Sequence, residues 1–311
     1  MPRRRLAVAA VAAAALTLAG CAAGPHEGTA VRTVVPSVAP TKPAPAPAVA
    51  AGKAPTRTYE VGTRRLQVNR GGTRPMAVTI WYPRASGGRF PVVLFSHGLG
   101  ATPADYGPLL ARWAAAGFVV AAPAYPHTSR GAADQQVFDV VNQPADASYV
   151  LTKVLALDTR PGDALRGRLA VDRVAAAGHS AGGITTVGLF TTARDDRLDA
   201  GIVLSGNSLG FGTAFAGPAA PQLFVHGERD PVVSYASGKA AFDAVPWPKA
   251  LLSLPQGDHG SSLFGSATPL RVVSDTTTEF LRWTLYGDAA AKARMPADAA
   301  RGGIAVLDDQ L

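Results

Sequence analysis

One pentapeptide constrains the fold of this chain more than any other feature. Gly178-His179-Ser180-Ala181-Gly182 stands between a strand-like run of small residues, "RVAAAGHS", and a helix-like run, "AGGITTVGLFTT". A chain that turns sharply from strand to helix strains the residue at the corner, so the positions two before and two after it must lack side chains that would collide. Such a turn lifts the serine hydroxyl above the carboxyl edge of a sheet, at the positive end of the following helix, where developing negative charge is favoured. An incidental serine in a glycine-rich turn is the plain alternative, and the flanking strand and helix argue against it.

The rest of the chain supplies a sheet for that turn. Strand-length apolar runs alternate with helix-period segments, which predicts an α/β fold, a mostly parallel sheet with helices on both faces. Residues 58–69 and 76–83 read as antiparallel strands, and "PVVLFSHG" (91–98) as a central strand buried on both sides. A helix is expected over about 103–116, a strand over 118–126 and a helix over 146–158. Strands follow at 173–180, 198–206, 221–230 and 249–257, and a closing helix at about 272–286. The link from about Gly206 to Pro221 is short, which leaves little or no lid domain. Residues 289–311 are Ala-rich and weakly patterned and are expected to form a tail with no assigned role.

A serine hydroxyl is a weak nucleophile near neutral pH and needs a base in hydrogen-bond reach, with a third group fixing that base's tautomer. Of the six histidines, His26 precedes the folded region, His97 and His179 belong to glycine motifs, His226 lies in a predicted strand and His127 precedes the serine. His259, in "GDHGSS" after the last strand, is the candidate base. Asp230, at the end of "QLFVHGERD", is the candidate acid, with Glu228 and Asp258 as rivals and an ordinary Asp-Pro turn as the alternative. An oxyanion would need two backbone N–H donors. Ala181 is one candidate, and Leu99, in Ser96-His97-Gly98-Leu99-Gly100, is the other.

"FSHGLG", "GHSAGG", "HGERDPVV" and "GDHGSS", in that order over about 200 residues, resemble the α/β-hydrolase superfamily. Among its branches the chain is most similar to the lipases and esterases grouped with platelet-activating-factor acetylhydrolases, chlorophyllases and dienelactone-hydrolase-like proteins. The nucleophile here is serine, not the cysteine of dienelactone hydrolase itself. The resemblance implies a serine carboxylic ester hydrolase working through an acyl-enzyme, with no metal and no organic cofactor. A peptidase or amidase with the same triad, or a binding protein that keeps the shell without catalysis, are the rival readings. The expected substrate is a small-molecule or lipid-like ester in an open cleft. Tyr106, His127 and Phe211 are candidate wall residues, although simple packing is the commoner explanation for each.

The amino terminus bears on where such a protein would act. Arg3, Arg4 and Arg5 precede an apolar run from Leu6 to Leu18 that reads as a secretory signal over residues 1–20. Leu18-Ala19-Gly20-Cys21 resembles a bacterial lipobox, which makes Cys21, the single cysteine, the expected lipidation site and the membrane anchor. An ordinary cleavage site with a chance cysteine is the alternative. Residues 21–56, rich in Ala and Pro, read as a tether, and 57–288 as the hydrolase domain. The formal charge of +8 falls to +5 without the three signal arginines. That excess is scattered and not interleaved with aromatics, so nucleic acid is not an expected partner.

Overall fold

Alternation within each apolar run decides which way every central strand faces. In β3 (Phe90–Ser96) all seven residues are buried. Val93 and Phe95 point into one apolar layer and Val92 and Leu94 into the other. The flanking parallel strands are β4 (Val119–Ala124), β5 (Leu169–His179), β6 (Ala200–Leu204), β7 (Gln222–Gly227) and β8 (Lys249–Leu254). A hairpin of β1 (Glu60–Arg70) and β2 (Arg74–Arg84) adds antiparallel strands at one edge, and β9 (Val306–Gln310) adds one at the other. The sheet order is β1-β2-β4-β3-β5-β6-β7-β8-β9. The computed structural model describes residues 52–260, 263 and 267–311.

Helices cover both faces, as expected of a parallel sheet that must exclude water from each side. Helix α1 (Gly107–Ala115) places Leu109, Leu110 and Trp113 on one face, beside Val272, Val273, Phe280 and Leu281 of α5 (Ala267–Tyr286). The opposite face packs Val150, Leu151 and Val154 of α2 (Gln143–Leu155), Val187 of α3 (Ala181–Gly188) and Phe242 of α4 (Tyr235–Asp243). Successive strands β3 and β4 pair side by side, while β5 pairs on the other flank of β3. Strand order therefore reverses at β3, and the loops leaving β3 and β5 diverge over the carboxyl edge, where open α/β sheets form their clefts.

Two expectations from sequence need correcting. Residues 289–311 are not a loose tail: they form α6 (Ala289–Ala299) and the edge strand β9. Asp288 caps α6 by accepting from the N–H groups of Ala290 and Ala291, and Glu279 of α5 pairs with Arg294 at 2.6 Å. The buried positions of α6 are Ala291, Met295 and Ala299, a spacing of four that two alanines hide from any hydrophobicity pattern. Strand β9 has no fully buried residue and so no alternation to read.

The folded region also begins earlier than residue 57. Ala54 is buried, its N–H donates to the Asp288 carboxylate, and the N–H of Gly52 donates to the carbonyl of Gly287. The expected signal segment, Cys21 and the tether as far as residue 51 lie outside the described residues. None of the described helices is long and apolar enough to cross a membrane. No helix interrupts residues 205–221, so no lid is inserted between β6 and β7.

Candidate active site

Ser180 sits at the corner between β5 and α3 with φ 57° and ψ −121°, a conformation that costs a non-glycine residue about 1–3 kcal/mol. The surroundings enforce it. The Ser180 N–H donates to the carbonyl of Leu204 at 2.9 Å, while its own carbonyl starts the helix by accepting from Ile184 at 3.0 Å. Two glycines allow the turn to close. A Cβ on Gly178 would lie 2.1 Å from the carbonyl oxygen of Gly182, and one on Gly182 would lie 2.0 Å from the carbonyl oxygen of Ser96. Both obstacles are backbone, so neither could yield without moving α3 or β3.

Three side chains from distant segments converge at this corner. His259 Nε2 is 2.8 Å from Ser180 Oγ, and His259 Nδ1 is 2.7 Å from Asp230 Oδ2. With Nδ1–H donating to the carboxylate, Nε2 presents a lone pair to the serine hydroxyl. Asp230 is itself fixed: its Oδ1 accepts the N–H groups of Val232 and Val233 at 2.8 and 2.9 Å. The rival acids point elsewhere. Glu228 is exposed, and Asp258 Oδ1 accepts the N–H of Gly260.

His226, buried in β7, donates Nε2–H mainly to the carbonyl of Val233 at 2.9 Å, with Asp230 Oδ2 a longer second acceptor at 3.4 Å. Burial alone would raise the Asp230 pKa. Interactions with His226 and His259 and the two backbone N–H groups outweigh that effect and hold the group well below the usual carboxylate range.

The loop after β3 forms the facing wall. His97 is buried, donates Nδ1–H to the carbonyl of Gly98 at 2.8 Å and accepts the N–H of Tyr125 on Nε2 at 3.1 Å. Burial pushes its pKa down to about 4, which keeps it neutral and this tautomer in place. The N–H of Gly98 donates to Tyr106 Oη at 2.9 Å, and that of Gly100 to the carbonyl of Thr128 at 2.8 Å. An open cleft of about 450 Å³ lies between this loop and Ser180, with Leu99, Ala101, Tyr106, His179 and His259 on its walls. Ala181 opens α3, so its N–H has no acceptor within the helix.

The expected wall residues separate. Tyr106 lines the cleft, though it is 2 % exposed and its hydroxyl is committed to hydrogen bonds. His127 and Phe211 are not among the lining residues. His127 Nδ1 bonds the carbonyl of Asp134, and Phe211 is buried with Val140 and Ile184 behind Ala181. Arg130, paired with Asp105 at 3.1 Å at the cleft mouth, had no sequence signal, because its place depends on the turn after β4. Among the described residues no group of His, Cys, Asp or Glu has the arrangement of a metal site.

A family model described as Chlorophyllase matches residues 46–216 of the chain. The chain belongs to the chlorophyllase family. Chlorophyllases are ester-cleaving hydrolases of the α/β-hydrolase type, in agreement with the sheet described above. The match includes the loop after β3 and the Ser180 corner and ends before Asp230 and His259. Among curated proteins, none matches the chain.

The state of Asp230 has a measurable consequence. A carboxyl group whose folded pKa is depressed contributes stability above its unfolded value, near 4, and that contribution is lost as pH falls through the folded value. Compared with Asp230→Asn, the unsubstituted protein should lose thermal stability more steeply between about pH 5 and pH 2. Thermal melts across that range check this, and parallel curves for the two proteins would contradict it.

Proposed function

We propose that the protein is a serine hydrolase of carboxylic esters, with Ser180 as nucleophile, His259 as general base and acid, and Asp230 as the group that orients His259. The observation that carries this reading is the continuous chain Ser180 Oγ, His259 Nε2, His259 Nδ1, Asp230 Oδ2, with contacts of 2.8 and 2.7 Å. Ser180 Oγ attacks the ester carbonyl as His259 Nε2 takes its proton. The C=O bond opens to a tetrahedral oxyanion, stabilised by the N–H groups of Leu99 and Ala181. The oxyanion collapses, the C–O bond to the alcohol breaks, and His259 returns the proton to the departing alcohol. Water, deprotonated by His259, then attacks the acyl-enzyme and releases the acid with Ser180 restored.

An open cleft without an inserted lid, and an apolar Leu99 that is 43 % exposed on its wall, support bulky or lipid-like esters as the substrate class. Family membership favours esters over the amides that the same triad could cleave. The purified protein should turn over an acyl ester faster than the matched amide and should be labelled by a fluorophosphonate at neutral pH. Ser180→Ala should abolish labelling and lower ester turnover about a thousandfold or more. Faster amide turnover, or labelling that survives Ser180→Ala, would overturn the reading.

We also propose that the protein is exported and held on the outer face of a membrane by a lipid on Cys21. Arg3 to Arg5, the apolar run to Leu18 and the Leu-Ala-Gly-Cys sequence support this. Fractionation of cells expressing Cys21→Ala should find the protein in the medium. Retention on the membrane at the unsubstituted level would remove the anchor.

A further inference from the structure

We infer that His179 is a positioning residue for the reaction proposed above: it clasps the loop that carries Leu99 to the loop that carries His259, so that the oxyanion donor and the base keep one geometry. The inference rests on the serine-hydrolase reading and adds a residue which the acyl-transfer chemistry alone does not require.

Two hydrogen bonds of His179 have definite directions. Its Nε2 is 2.7 Å from the backbone carbonyl of His259, and a carbonyl only accepts, so Nε2 carries the hydrogen. Burial pushes its pKa down to about 4, so the ring is neutral at working pH and Nδ1 has a lone pair. Tyr106 Oη, 2.8 Å from Nδ1, therefore donates its hydrogen there. The phenol oxygen in turn accepts the N–H of Gly98 at 2.9 Å.

One directed chain results, from Gly98 N–H to Tyr106 Oη–H, to His179 Nε2–H, to the carbonyl of His259. It starts one residue before Leu99 and ends on the residue whose imidazole faces Ser180. A histidine that merely filled space could be satisfied by any two neighbours. Here the partners are 73 and 80 positions away in sequence, and each leads to one of the two loops that flank the nucleophile.

Packing makes the clasp tight. A Cβ at Gly98 would lie 3.0 Å from Tyr106 Oη, 3.2 Å from His179 Nδ1 and 3.2 Å from Ser180 Cβ, so the loop, the clasp and the nucleophile touch at one point. The His179 and His259 rings touch at 4.8 Å between centroids, tilted by 45°. His259 is thus held through its ring by Asp230 and through its backbone by His179. A displacement of about 1 Å in such a constellation is enough to cost on the order of a hundredfold in rate.

Two substitutions separate the ends of the clasp. A glutamine amide nitrogen reaches roughly where Nε2 lies and keeps a donor for the His259 carbonyl, whereas an asparagine reaches only to Nδ1. His179→Asn and Tyr106→Phe should each lower kcat for an ester on the order of 10- to 100-fold with KM little changed. His179→Gln, which restores the donor to the His259 carbonyl but offers Tyr106 no acceptor at the Nδ1 position, should be no faster than Tyr106→Phe. The Tyr106→Phe/His179→Asn double variant should be no slower than the slower single one, because both break one chain.

In ¹⁵N-histidine NMR spectra of the unsubstituted protein, His179 should show the neutral Nε2–H tautomer from pH 8 down to pH 5, and its signals should move in Tyr106→Phe. The tautomer in the unsubstituted protein tests the directed chain even if a variant fails to fold. The clasp is overturned by folded variants that keep kcat within twofold, by losses confined to KM, or by an Nδ1–H tautomer. An unsubstituted protein inert to fluorophosphonate would instead defeat the hydrolase reading, and the clasp with it. Normal labelling of both the unsubstituted protein and His179→Asn, at equal rates, would defeat the clasp alone.

Discussion

Everything in this structure depends on how closely the first turn of α3 approaches the carboxyl ends of β3 and β5. The carbonyl oxygens of Ser96 and Gly182 occupy the places where side chains on Gly182 and Gly178 would begin. That contact holds Ser180 at a positive φ that nothing in its own chemistry favours. Strain of this size persists only where the surroundings leave no alternative. Here they are the fully buried strand β3 and the small-residue stretch Ala175-Ala176-Ala177 of β5, packed on both faces. The core therefore acts on function through backbone proximity: bulkier residues in β5 or at its turn would push α3 away and relax the corner.

Around that corner, polar groups are arranged so that each fixes the next. Asp230 is desolvated yet kept anionic by four hydrogen-bond donors. Buried His97 and His179 stay neutral, so each ring has one nitrogen that donates and one that accepts. Of the three histidines nearest Ser180, only His259 borders the open cleft while its ring also meets both Ser180 Oγ and Asp230. In the proposed reaction His259 is the base, reachable by substrate and set beside two buried histidines, His97 and His179, that stay neutral.

Much of this was legible in the sequence, for definite reasons. Parallel strands buried on both faces read as apolar runs, so β3 to β8 fell near their expected places, and the glycine spacing marked Ser180. Chain order and strand ends pointed to Asp230 and His259, which the structure brings within hydrogen-bond distance of one another. What stayed hidden depends on contacts between remote segments. His179 looked like part of a glycine motif because Tyr106 and His259 are far from it in sequence. Phe211 was open to either role, with packing the commoner one, because a loop aromatic reads alike whether it faces solvent or the underside of Ala181; it packs. Helix α6 escaped notice because two alanines carry most of its buried stripe, and α4 because Gly238, which sits against His226, interrupts a short and weakly apolar segment.

The proposed reaction requires that Ser180 Oγ form a covalent acyl bond during turnover. The most direct measurement mixes the protein with an activated ester, quenches in acid within the first turnovers and reads the intact mass, followed by peptide mapping. A mass increase equal to one acyl group is expected, located on the peptide containing Ser180 and lost on longer incubation as water completes the cycle. Ester turnover with no acylated species at any quench time, or with the acyl group on another residue, would contradict it.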